Sequence, residues 1–165
     1  METLKHYLPL CWCQANPLEL ARSLKFFKQN FLFFFIVEYI LQANATDDVV
    51  ESFFELNLEI GLTFLFISLM LFLNKSLPAM IQVFTAILFC ANALSLLLIP
   101  LIVWLTLTES VFSYYSIGLL LLWYYCLITN ILKRVLAINI AASLALAFFY
   151  FVTVYIGAFS LGQMI

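Results

Sequence analysis

Apolar residues in this chain fall into long, nearly unbroken runs separated by short polar breaks. The first run is Phe31–Leu41, reaching to about Ala45, and its single charge is Glu38. Further runs cover about 56–73, 79–105, 111–132 and 135–159. The breaks hold Asp47, Asp48, Glu51 and Glu55, then Asn74-Lys75-Ser76-Leu77-Pro78, then Thr106–Ser110 with Glu109, then Lys133-Arg134. A hydrocarbon layer about 30 Å thick takes roughly 20 helical residues to cross. The pattern therefore predicts an all-α fold, a polytopic membrane helix bundle with five transmembrane helices at 30–45, 56–73, 79–105, 111–132 and 135–159. Residues 1–29 precede the bundle of 30–160, and 161–165 form a short tail. Pro78 suits the first turn of a helix, and Pro100 predicts a kink late in the third span.

Composition agrees and removes other classes. The chain has 165 residues, 66% apolar, with a mean hydropathy of +1.12. Charged residues make up 10%, against about 25% in a soluble domain, too few to coat a globular surface. A soluble domain, a disordered chain and a nucleic-acid binder are excluded on this ground. The first apolar run begins too far along the chain, with no small-residue cleavage pattern, for a removable signal peptide.

The few charges are placed unevenly. If the spans alternate, Lys5, Arg22, Lys25, Lys28, Lys75, Lys133 and Arg134 all share one side. The other side receives Asp47, Asp48, Glu51, Glu55 and Glu109. By the positive-inside rule the N-terminus is cytoplasmic and the tail lies outside, most simply in a bacterial inner membrane.

Outside the spans, Asn16-Pro17-Leu18-Glu19 reads as a helix start, with a capping Asn, Pro in the first turn and Glu at the third position. Leu20, Leu24 and Phe27 would form its apolar face and Arg22, Lys25 and Lys28 its basic face. This predicts either an amphipathic helix on the inner leaflet or a basic flank that orients the first span. Tyr7–Cys13 is apolar and aromatic, suited to the headgroup region. Cys11 and Cys13 are candidates for acylation or a soft metal, but no matching ligand pair accompanies them, and His6 reads as a surface residue. The four cysteines form no disulfide framework. At the opposite end, Glu51, Glu55 and Glu59 recur every four residues as an acidic stripe, either a docking or cation-attracting surface or simply a solvated helix face. Asn44-Ala45-Thr46 matches a glycosylation sequon close to the membrane.

Inside the spans Glu38 stands out. A carboxylate at the midplane costs about 2.5–3.5 kcal/mol on insertion scales. No Lys or Arg lies at its depth, and no second midplane acid is evident. Asn92 is the candidate partner, with Ser95, Tyr124, Tyr125 and Tyr150 at similar depth. Such a cluster serves either as a proton or cation site or as hydrogen-bond glue between helices. Catalytic motifs are missing: there is no HExxH, GxSxG, P-loop or CxxC, and one histidine in all. No enzyme activity, cofactor or metal is expected.

With five spans and a cytoplasmic N-terminus, four features carry a resemblance. They are Asn16-Pro-Leu-Glu-Leu-Ala-Arg22 before the first span, the Lys75 turn, Ala93-Leu-Ser-Leu-Leu-Leu-Ile-Pro100, and Trp123 about ten residues before Lys133-Arg134. On these the chain resembles the Yip family, the Rab/Ypt-interacting small membrane proteins, in its short bacterial form. The resemblance implies a five-helix fold and a membrane location. The Asp-Leu-Tyr-Gly-Pro motif and Gly-Tyr pair of eukaryotic members are missing, so their Rab binding does not carry over. The leading expectation is a non-enzymatic accessory or scaffold subunit. Its partners would be the lipid bilayer and other membrane proteins or itself. The alternative is a small proton- or cation-coupled carrier built on Glu38 and Asn92.

Overall fold

Long helices form wherever the apolar runs predict them, and side-chain caps in the breaks set where they begin. The computed structural model describes residues 2–45, 48–108 and 110–163. Thr46 of the sequon, Asp47, Glu109 and the last two tail residues lie outside these. After a short α1 (Glu2–Tyr7), the long elements are α2 (Leu24–Ala45), α3 (Val49–Leu73), α4 (Met80–Thr108) and α5 (Val111–Leu136). A last rod comprises α6 (Ile140–Phe151), a π-helical segment (Val152–Ile156) and α7 (Gly157–Gly162).

Asp48 accepts from the N–H groups of Val50 and Glu51 to start α3. Ser110 accepts from Phe112 N to start α5, and Asn139 from Ala142 N to start α6. Each cap satisfies a backbone donor that the helix cannot. Lys133 and Arg134 do not interrupt α5; they occupy its last turn, where cations complement the helix dipole. Ala137, at φ 52°, then turns the chain. Pro78 sits in the short 3₁₀ turn that leads into α4, and α4 continues through Pro100 to Thr108.

Among the described residues four stretches are long and apolar enough to cross a membrane: Val49–Leu73, Leu77–Thr108, Val111–Leu136 and Ile140–Gly162. The expected first span, in α2, is not among them. Asn30, Glu38 and Gln42 dilute its hydropathy. Together with Phe34 these residues lie four apart, on the side of α2 that is turned inward rather than toward the surroundings.

The core centres on α4, where the ten consecutive residues from Val83 to Asn92 are all buried. Helix α2 packs on one side and α5 on another, and α3 pairs with the α6–α7 rod. Outward-facing positions are mostly Leu, Ile, Val and Phe, as lipid contact requires. At one end Arg134 donates to Cys13 O (2.9 Å), Gln82 to Leu18 O (3.2 Å) and Leu20 O (2.7 Å), and Asn74 to Val135 O (3.3 Å). The N-terminal segment, the Lys75 turn and the end of α5 thus meet at this basic end. At the other end the Gln163 amide donates to Glu51, joining the start of α3 to the close of the last rod.

The N-terminal segment departs from expectation. Asn16 does cap, accepting from Leu18 N at 3.2 Å and donating to Glu19 at 3.1 Å, but the helix it starts is one 3₁₀ turn, Pro17–Glu19. Leu20 is extended (ψ 148°), and α2 restarts after Ser23, whose hydroxyl accepts from Phe26 N. No separate amphipathic helix forms, because burial of Leu20 beneath Gln82 outweighs the continuation of a short helix. Arg22, Lys25 and Lys28 are exposed, the last two on the first turns of α2. Tyr7 and Leu10, each 1% exposed, plug the basic end rather than lying at a headgroup surface. The Tyr7 ring packs on Phe26 and Phe89 (centroids 4.7 and 5.6 Å), and its hydroxyl donates to Ala21 O. Trp123 donates to Cys11 O at 3.1 Å and packs against Trp12.

Replacing Tyr7 by Ala should therefore destabilise the whole bundle, by about 3–5 kcal/mol as for a buried aromatic. A fall in the thermal midpoint in detergent checks this; an unchanged midpoint would show that the segment is a loose appendage.

Candidate functional site

The interior acid predicted from the sequence does not stand alone. Glu38 on α2 meets Ser95 on α4, whose hydroxyl lies 2.8 Å from Glu38 Oε1 and 3.0 Å from Ala91 O. Ser95 has one hydroxyl hydrogen for these two contacts. The Ser95 hydroxyl donates to the Glu38 carboxyl and to the Ala91 carbonyl, sharing its hydrogen between them. Asn92, the expected partner, instead donates to Asn30 O (3.0 Å) and Asn30 Oδ1 (3.3 Å), leaving its own Oδ1 without a hydrogen bond. Asn92 and Ser95 are three apart and share a face of α4, but Ser95 is the one level with the carboxyl.

Glu59 is the larger departure. It belongs by spacing to the acidic stripe, yet it is 6% exposed, whereas Glu51 and Glu55 are partly exposed at the acidic end. A step of four residues advances about 400° around a helix, so each member of the stripe is rotated by about 40° from the last. By the third member the stripe has turned into the bundle. There Glu59 Oε2 accepts from Gln42 Nε2 at 3.0 Å, and Gln42 lies four residues, about one helical turn, along α2 from Glu38. Neither carboxyl has a cation among the groups acting on it.

Three tyrosines complete the cluster. Tyr124 and Tyr150 are buried, as their expected depth implies. Tyr125 is turned away and donates to Leu144 O at 2.7 Å. Tyr155, which the sequence reading did not single out, belongs to the π-helical segment and is 37% exposed while lining both cavities described below. The extra residue per turn there re-aims the side chains that follow, a common device at functional sites. Tyr124, Tyr150 and Tyr155 share one cavity wall, and the Tyr150 hydroxyl lies 3.5 Å from that of Thr63.

Two cavities flank this cluster. A small one of about 20 Å³ is lined by Glu59, Thr63, Tyr124, Tyr150 and Tyr155. Its size suits one water, and these polar groups sit in a wall otherwise made of apolar side chains such as Phe31, Phe64 and Phe84. A larger one of about 450 Å³ has Glu38, Ser95, Tyr124 and Tyr155 in an otherwise apolar wall. Tyr124 and Tyr155 line both cavities.

At the basic end Cys11 is buried with its thiol against Cys90, and Cys13 is half-buried beneath Arg134. Burial, with the nearby Cys126 and Cys11 thiols, pushes the Cys13 thiol up, and Arg134 opposes this. A buried thiol and a weakly acidic one are poor acylation sites. Among the described residues no group of three or more His, Cys, Asp or Glu is placed to hold a metal. No family model, curated protein or solved structure matches the chain, so the Yip resemblance rests on the residues quoted for it.

A double-mutant cycle tests the pairing. Glu38→Gln with Ser95→Ala should show a coupling of about 0.6–1.7 kcal/mol, the range of interhelical hydrogen bonds in membranes. Glu38→Gln with Asn92→Ala should be additive in the same unfolding assay; coupling there would restore Asn92 as the partner.

Proposed function

We propose that this chain is a small integral membrane carrier coupled to protons or cations, with the Glu38–Glu59 pair as its exchange site. The observation that supports it is the second buried carboxyl. A lone midplane acid is readily explained as glue, but two inward-turned acids, one of them held by Gln42 a turn away from the other, are a poor adhesive. They cannot both ionise cheaply out of water, so their shared charge depends on a proton or a bound cation. Intramembrane acids on such terms mark ion and proton pathways. The tyrosines and the water-sized cavity beside Glu59 supply hydroxyl groups that a proton could use.

In this reading α2 is the first of five spans, its polar stripe satisfied by α3 and α4 rather than by water. The basic end faces the cytoplasm and the acidic end the outside of a bacterial inner membrane. The second reading, an accessory or scaffold subunit, is favoured by one feature. At the basic end Trp12 is 64% and Leu8 48% exposed beside the plugged N-terminal segment, a surface that a neighbouring protein could cover.

Two measurements check these statements. With α2 crossing the membrane, Lys5→Cys and Lys75→Cys should react with an impermeant maleimide from the same face; reaction from opposite faces would show that α2 does not cross. In proteoliposomes carrying an internal pH dye, the wild-type chain should pass protons against a cation gradient. Glu38→Gln and Glu59→Gln should each reduce that flux to the level of empty vesicles. Undiminished flux in both variants would remove the carboxyls from the mechanism, and no wild-type flux would leave the scaffold reading.

A further inference from the structure

The larger cavity has a chemistry of its own. Its volume of about 450 Å³ falls among sites that hold organic molecules, roughly 300–1,000 Å³, and far exceeds what a bare ion needs. Most of its wall is hydrocarbon or aromatic ring, including Phe34, Leu98, Phe148 and Phe151. Its one ionisable acid is Glu38, which is hydrogen-bonded through Oε1 to Ser95. Leu121, Phe148 and Ile156 belong both to the lining and to the outer surface, where they are 57%, 59% and 59% exposed. The rim therefore lies on the side of the bundle, among the residues that face hydrocarbon.

These features select a ligand class. An anion would meet an uncompensated carboxyl, and a strongly polar neutral molecule would find too few partners for the hydrogen bonds it gives up. A small inorganic cation holds several oxygens at short range, and this wall offers a carboxyl and three hydroxyls spread over a large space. A bulky, weakly hydrated cation needs one counter-charge, aromatic faces and an apolar surround. Glu38 supplies the first, Tyr124, Phe151 and Tyr155 the second, and the remaining wall the third.

We propose that this cavity binds a lipophilic cation, an amine or onium head on an apolar body, which enters sideways from the bilayer and places its head against Glu38. The inference rests on the reading of Glu38 as an exchange site and names what is exchanged there for the proton. Binding breaks the O–H bond of the protonated Glu38 carboxyl. The electron pair stays on the carboxylate, the proton leaves to water, and the ligand's positive charge takes its place. Charge in the site is conserved across the exchange. The same group thus couples cation entry to proton exit.

Tetraphenylphosphonium is the probe, because its charge does not change with pH, and tetraphenylborate is the matching anion. Purified wild-type protein in detergent should bind radiolabelled tetraphenylphosphonium at a single saturable class of sites. It should release protons into a weakly buffered medium as it does so, and lose the ligand on acidification. Leu98→Trp fills the cavity without touching the carboxyl and should abolish binding, as should Glu38→Gln. Equal binding of tetraphenylborate, or binding that survives both substitutions, would overturn the proposal. Proton flux in proteoliposomes without any tetraphenylphosphonium binding would also overturn this ligand class while leaving the carrier reading intact. Substitution-sensitive binding without flux would support the site and remove the carrier.

Discussion

Everything else in this bundle is arranged around the enclosed half of α4. From Val83 to Asn92 the helix has no outward face, so every neighbour must present a complementary surface to it. Such all-round burial is possible only because α2, α5 and the folded-back N-terminal segment each cover one side. Thr85 answers the apolar surroundings by bonding back to Ile81 O, and Asn92 answers them by reaching the backbone of Asn30. Where α4 emerges from its neighbours, beyond Ser95, its Leu, Ile and Val residues turn outward and the large cavity opens. The site therefore lies where the central helix passes from full to partial enclosure. There a polar group can be held by protein on one side and meet a ligand on the other.

The polarity of α2 follows from the same constraint. Taken alone, α2 is too polar to pass as a membrane-crossing helix. Within the bundle its polar stripe is distributed among partners: Asn30 to α4 and to its own backbone, Glu38 to Ser95, and Gln42 to Glu59. A lowered hydropathy is thus what a helix acquires when its inward face carries polar groups. It argues for α2 as a working element of the bundle rather than an appendage to four spans.

How much of this the sequence reveals depends on which physical signal carries it. Long runs of apolar residues are a strong signal, and the helices appear within a few residues of where those runs predict them. The caps Asp48, Ser110 and Asn139 emerge from the structure, where each side chain accepts from the first backbone N–H groups of its helix. Glu38 is legible because a charge amid ten apolar or aromatic residues has no structural excuse. Glu59 is hidden by a coarse reading of periodicity: three acids four apart look like one stripe, but rotation of about 40° per step carries the third inward. Tyr155 is hidden for another reason. A π-helical segment shifts the phase of the last rod, and no local residue pattern announces where that happens. The N-terminal plug was misread because Asn16-Pro17 is a genuine helix start whose helix is cut short by contacts from α4, far away in sequence.

The cost of the site indicates why such a cluster would be retained. Replacing buried ionisable groups with well-packed apolar ones is often neutral or stabilising, so stability alone gives no reason for two unpaired carboxyls in a hydrocarbon surround. Glue needs only a neutral donor and acceptor, which Asn92 and Asn30 already provide one turn away from Ser95 on the same helix. What a carboxyl adds to an amide is a variable charge. The two carboxyls lie beside cavities that share Tyr124 and Tyr155, Glu59 at the water-sized one and Glu38 at the ligand-sized one. The arrangement is costly for a scaffold and functional for a carrier. That asymmetry, more than any single contact, is the argument for exchange at Glu38 and Glu59.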